Sequence, residues 1–235
     1  ALLDTDTYSS EWGQGPRFTP PAGMLSNPPQ HTFFRSLVQQ AFTPKAIKAL
    51  SERVQSLADE LADVVEGRDV FDVHDDFAFP LPVTIIAEML GAPEEDIASF
   101  KKWSDSSVEA MGAEDPTPWE PDMAAMAAYI MEQVALRRAA ISPGDDLITR
   151  LVQAEQDGET LGDGDILRVV TQLLVGGNET TTSLITNVVW RLLQDHSLWE
   201  RLIAEPSLVN TAIEESLRFD PPVLGLYRNT TRDVE

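Results

Sequence analysis

Apolar residues recur at three- and four-residue spacing along most of this chain, and the longest such run predicts one helix from about Asp163 to Gln194. Ile166, Val169, Val170, Leu173, Leu174, Leu184, Ile185, Val188, Val189, Leu192 and Leu193 fall on more than one face, the pattern of a helix buried on most sides. At 1.5 Å per residue it would be about 48 Å long, enough to cross the centre of a small molecule. In its middle stand Gly176 and Gly177, which cost about 1 kcal/mol each relative to alanine, and Thr180, whose hydroxyl can bond back to the preceding turn. The helix is therefore expected to be bent or widened there.

Helices are predicted along the rest of the chain too. Thr43-Pro44 is a cap followed by proline at the first helical position, and the run Ile47, Leu50, Val54, Leu57, Leu61, Val64 carries that helix to near Gly67. A short buried helix over Leu81 to Leu90 is closed by Gly91-Ala92-Pro93, and Pro93-Glu94-Glu95-Asp96 opens the next. Gly112 to Pro121 reads as a polar connection and Asp122 to Ala140 as a helix rich in alanine and methionine. Its Met123, Met126 and Met131 suit core filling or an adaptable ligand wall. Ser142 to Asp146 opens a helix over Leu147 to Glu155, and Gly158 to Gly164 is the turn before the long helix. The fold class is mainly α.

Composition narrows the function classes. With 43% hydrophobic residues among 235, the chain can bury one large core, and it is read as a single domain over 1–235. No apolar run reaches the roughly 18 residues of a membrane span, so no membrane partner is expected. Seventeen basic against 39 acidic residues give a net charge of −22, which argues against nucleic acid. The absence of cysteine excludes disulfides in these residues and fits the cytoplasm. Against this acidic background His31 to Arg53 is locally basic, with Arg35, Lys45, Lys48 and Arg53 facing only Glu52.

Three segments carry candidate chemistry. Gly176-Gly177-Asn178-Glu179-Thr180 sets bare backbone beside an acid and a hydroxyl, although a glycine packing contact with a buried acid has the same pattern. Glu215 and Arg218 stand at i, i+3 before Pro221-Pro222, the spacing of an ordinary surface ion pair. His31 and Arg35, at i, i+4, place two nitrogen donors on one helix face, able to clamp a carboxylate or simply to be solvated. Taken together and in this order, they resemble the cytochrome P-450 family: its oxygen-binding helix, its Glu-x-x-Arg helix and its His-x-x-x-Arg helix, the last ending as here in Ala41-Phe42-Thr43-Pro44. The resemblance covers nearly the whole chain and is greatest to soluble bacterial members.

What the resemblance implies is a P-450 fold around haem b. His31, Arg35 and Arg228 would take the propionates, Phe42 would lie near them, and Gly176 and Gly177 would let flat groups approach the helix. Thr180 would donate a hydrogen bond at the oxygen-activation site and Glu179 would relay protons. Glu215 and Arg218 would act structurally, and Asp122 to Ala140 with the connection before it would cover the substrate. Leu173, Leu174, Val223, Leu224 and Leu226, with the loop Trp12 to Leu25 above them, would wall a pocket for a hydrophobic small molecule. The reaction would insert one atom of O₂, with electrons from a ferredoxin and its reductase docking on the basic stretch. The family's axial iron ligand is a cysteine, which this chain lacks, so no metal ligand is assigned; the expectation is a central piece of a longer enzyme, inactive alone. The alternative is a cysteine-free helical ligand-binding or interaction protein derived from the same fold.

Overall fold

The computed structural model describes residues 4–10, 26–142, 144–225 and 228–234. Among these, helices α1 (Gln30–Ala41), α2 (Pro44–Val65), α3 (Pro80–Met89), α4 (Ile97–Gly112), α5 (Glu120–Ala139), α6 (Leu147–Gln153), α7 (Asp163–Gln194), α8 (His196–Ala204) and α9 (Val209–Phe219) carry the architecture. The strands are two-residue pieces: β1 (Tyr8–Ser9), β2 (Glu155–Gln156), β3 (Glu159–Thr160) and β4 (Asn229–Thr230). Two compact units form, one from Ala1–Ile47, Ala124–Gln172 and Gly225–Glu235, the other from Lys48–Met123 and Leu173–Leu224.

In the first unit α1 turns Phe34, Leu37, Val38 and Ala41 inward, and α6 does the same with Leu147, Ile148 and Leu151. Polar ties fix α1 at its end: Arg150 donates to the Ala41 carbonyl at 3.2 Å and Gln40 to the Glu155 carbonyl at 3.2 Å. β1 and β4 pair antiparallel, Tyr8 opposite Thr230 and Ser9 opposite Asn229. In the second unit α3, the Leu90 that follows it and α4 bury Val83, Ala87, Leu90, Phe100 and Trp103, the last two rings meeting edge-on with centroids 5.3 Å apart. Arg53 of α2 holds Glu88 of α3 with two nitrogens and also reaches Glu60 at 2.8 Å.

Several expectations hold in detail. The Thr43 hydroxyl accepts from the Ala46 amide at 3.2 Å, capping α2. α3 ends in a Schellman motif, with the Ala92 amide on the Ala87 carbonyl, the Gly91 amide on the Glu88 carbonyl and Gly91 at φ +75°. α7 runs over the predicted residues.

Three expectations are corrected. α7 is α-helical at every residue, so the widening at the glycines is absent; the back-bond of Thr180 is accommodated within the ladder. α5 begins at Glu120, taking Pro121 into its first turn, where a missing amide proton leaves no bond unmade. α6 stops at Gln153, and the stretch before α7 is a hairpin, β2 to β3, with Asp157 and Gly158 at φ +55° and +82°. That is the turn an Asp-Gly pair favours.

Candidate functional site

α7 presents two rows of residues, each spaced by four. Ile166, Val170, Leu174, Asn178 and Thr182 are buried to 1% exposure or less. Gly176 and Thr180 lie on a more open row, Gly176 exposed and Thr180 half-buried. The Thr180 hydroxyl donates to the Gly176 carbonyl at 2.6 Å. A hydroxyl has one proton, so with that bond in place Thr180 turns only lone pairs outward.

The two glycines serve different faces. Nothing stands within 4 Å of where a Cβ would sit on Gly176, so its backbone is open to an approaching flat group. A Cβ on Gly177 would meet the Ile86 Cδ1 at 3.0 Å. Gly177 is thus the close-packing glycine against α3, and of the predicted pair only Gly176 offers a bare face.

Between glycines and hydroxyl lies a polar contact that the sequence reading did not single out. The Asn178 amide donates to the Ser104 hydroxyl of α4 at 2.8 Å, both side chains fully buried. One turn on, the Thr182 hydroxyl sits 3.2 Å from the Ala78 carbonyl and 3.4 Å from the Asn178 Oδ1. The available signal was that Asn178 and Thr182 continue the i+4 row of Ile166, Val170 and Leu174, where a polar residue needs a partner.

Glu179 is half-buried. Its charge is felt on α4: desolvation pushes the Asp105 carboxyl up, with Lys101 and His74 opposing and Glu109 and Glu179 adding to the rise. The α4–α5 connection is tied down by hydrogen bonds from Trp119 to Glu109 at 2.6 Å and from Lys102 and Ser106 to Asp122 at 2.7 and 2.8 Å.

On α1, His31 is half-buried and Arg35 exposed, and neither side chain bonds to another described residue. Phe42 is half-buried at the end of that helix, and Arg228 is exposed immediately before β4. Glu215 and Arg218 form the expected pair, bidentate at 2.7 Å, but on the surface of α9 with 58% and 67% of their side chains exposed. Glu215 also edges a groove of about 500 Å³ between the end of α7, α8 and α9, lined by Val188, Leu192, Leu202 and Phe219 among others.

None of the described wall residues lines that groove. Leu173 is half-buried, Leu174 is fully buried in the core, and Val223 and Leu224 are 47% and 93% exposed. Leu174 is thus part of the core of the described residues. Leu226 and the loop Trp12 to Leu25 lie outside the described residues. Among the described residues no cluster of acids and histidines could hold a metal ion. The basic stretch is also reduced, because Arg53 is bound to Glu60 and Glu88.

The family model for Cytochrome P450 matches residues 17–235. Cytochrome P450 107B1 of Saccharopolyspora erythraea is 38% identical over 223 residues, covering 93% of this chain and 54% of that protein. Erythromycin C-12 hydroxylase of the same organism is 38% identical over 247 residues, covering 100% of this chain and 60% of the other. The structure of CYP109Q5 from Chondromyces apiculatus matches at a TM-score of 0.89 and 36% identity, covering 100% of this chain and 60% of that one. The chain spans little more than half the length of these relatives.

Proposed function

The chain belongs to the cytochrome P450 family, and from that premise we propose that the protein containing it is a haem-dependent monooxygenase acting on a hydrophobic small molecule. The observation that carries this reading is on α7, where the open backbone of Gly176, the half-buried Glu179 and the Thr180 hydroxyl fall within five residues.

Members of the family use haem b, and the donor set fits it. Arg35 is an exposed cation and His31 a ring donor one turn away, both without a described partner, in a chain of net charge −22. With Arg228 they would bind propionate carboxylates, and Phe42 would pack beside them. The bare backbone of Gly176 would leave room for a flat group. When bound, haem supplies the redox chemistry that splits O₂, placing one atom in the substrate and the other in water. No cysteine stands in residues 1–235, so a thiolate ligand would have to come from outside them.

The chain's own residues then handle protons and water. Thr180, its proton on the Gly176 carbonyl, would accept a hydrogen bond at the reaction site, a reversal of the donor role expected from sequence. Glu179 would pass protons inward from solvent, its half-burial giving it access to both sides. Among the described residues, Leu173, Val223 and Leu224 would offer apolar side chains to a substrate. Glu215 and Arg218 would hold the end of α9. The two compact units would be parts of one domain, since α2, α5 and α7 each supply residues to both. Electrons would arrive from an acidic ferredoxin, served by its reductase, at Lys45 and Lys48. Charge reversal at both lysines should slow reduction and flatten its salt dependence, and an unchanged rate removes the ferredoxin proposal.

Supplying isotopically labelled O₂ with a hydrophobic substrate tests the reading. One labelled atom should enter the product, and a product oxidised without label contradicts the proposal.

A further inference from the structure

Asn178 occupies the least expected position for its chemistry. It is fully buried on the row of α7 that is otherwise Ile166, Val170, Leu174 and Thr182. A leucine there would hold two helices together without the desolvation cost of an amide. What the amide adds is direction, because its bond to Ser104 at 2.8 Å is made only at one register of α7 on α4.

Its place along the helix gives that direction a use. Gly176 and Gly177 immediately before it are the weakest helix formers in α7 beyond Gly164 in its first turn, and neither has a side chain to anchor the backbone. Asn178 is thus the first anchored residue after the soft point. Thr182, bonded to the Ala78 carbonyl at 3.2 Å, is the next polar anchor. Glu179 and Thr180 lie between the two, on a single helical turn fixed from α4 at one end and from Ala78, in the segment just before α3, at the other.

We propose that Asn178 is a positioning residue for Glu179 and Thr180, acting through its buried hydrogen bond to Ser104. The inference rests on the monooxygenase reading for what the pair does, and on this structure for how the pair is held. Without the bond, α7 keeps its apolar packing but loses its defined rotation on α4 where the acid and hydroxyl project. The neighbour of Ser104, Asp105, then shifts relative to Glu179, and the electrostatic contact between the two carboxylates changes with it.

Ser104→Ala removes the acceptor without adding volume, and Ser104→Thr keeps the hydroxyl; Thr182→Val severs the second anchor as an independent variant. The full-length holoenzyme serves for all three, with two readouts beside haem content and melting temperature. The first is backbone amide exchange across 176–184, which should quicken in Ser104→Ala and return to the native rate in Ser104→Thr. The second is the partition of electrons between product and hydrogen peroxide, which should move towards peroxide by roughly 10-fold, less than the roughly 100-fold that a misplacement of about 1 Å can cost. Thr182→Val should move both readouts in the same direction.

Faster exchange with an unchanged partition, at native haem content, would mean that the bond is only structural, and overturns the proposal. So does exchange that does not respond to Ser104→Ala. A wild-type protein that binds no haem fails the functional reading alone, and the exchange comparison still decides whether Ser104 holds this segment.

Discussion

The Thr180 hydroxyl donates to the carbonyl of Gly176 at 2.6 Å, so the hydroxyl and the open glycine are joined across one turn of the same helix. The relationship fixes what each can offer. Gly176 gives a bare face but not a free carbonyl, and Thr180 gives lone pairs but not a free proton.

Thr180→Val keeps the shape and removes the lone pairs. Product formed per electron pair should fall by about 10- to 100-fold, with hydrogen peroxide rising in step, while Thr180→Ser keeps most of the native coupling. Parallel assays of product and peroxide check this; equal coupling in the valine variant removes Thr180 from the site.

The two glycines should respond oppositely to alanine. Gly176→Ala adds helix propensity in open space and should stabilise the haem-free protein by about 0.5–1 kcal/mol while weakening haem binding. Gly177→Ala brings a Cβ to 3.0 Å from Ile86 and should destabilise it instead, by about 1 kcal/mol or more. Ile86→Val should recover part of that loss. Urea unfolding of the four proteins tests the assignment.

Burial of the Ser104–Asn178 bond predicts its weight in stability. Ser104→Ala leaves the Asn178 amide without its partner and should cost about 1–3 kcal/mol. A loss below a few tenths of a kcal/mol in chemical denaturation would mean that water or a rotamer change replaces the bond.

Acid should loosen the end of α9. Hydrogen bonds from Arg191 hold the Asp220 carboxyl below its ordinary value, and those from Arg218 do the same for Glu215. A carboxyl with a lowered folded pKa contributes stability that is present above its unfolded value, about pH 4, and lost as pH falls through the folded one. Asp220→Asn should therefore flatten the acid limb of stability against pH. Asp105 has the opposite sign: desolvation raises its folded pKa, so stability falls as pH climbs from the unfolded value through the raised one. Asp105→Asn should remove that decline, and an unaltered profile would refute it.

The helices were legible wherever apolar periodicity was long and their ends carried chemistry of their own. α7 is found over Asp163–Gln194 because its apolar residues recur on several faces, and α3 stops where Gly91 supplies a positive φ. The hairpin of β2 and β3 was missed because Glu155-Gln156 and Glu159-Thr160 have no apolar alternation, leaving only Asp157-Gly158 as a signal. The motif residues of the site were legible by type, but their facing was not. Gly176 and Gly177 look equivalent in sequence, and only the position of Ile86 separates them. Asn178 reads as the variable residue of its motif until Ser104 stands against it, 74 positions away.

The most direct test is the reduced, carbon-monoxide difference spectrum of the longest natural reading frame that contains this chain. A strongly red-shifted Soret band, lost or weakened when His31 and Arg35 are replaced by alanine, is what the account predicts. A protein that takes up no haem, or takes it up without the thiolate band, contradicts it.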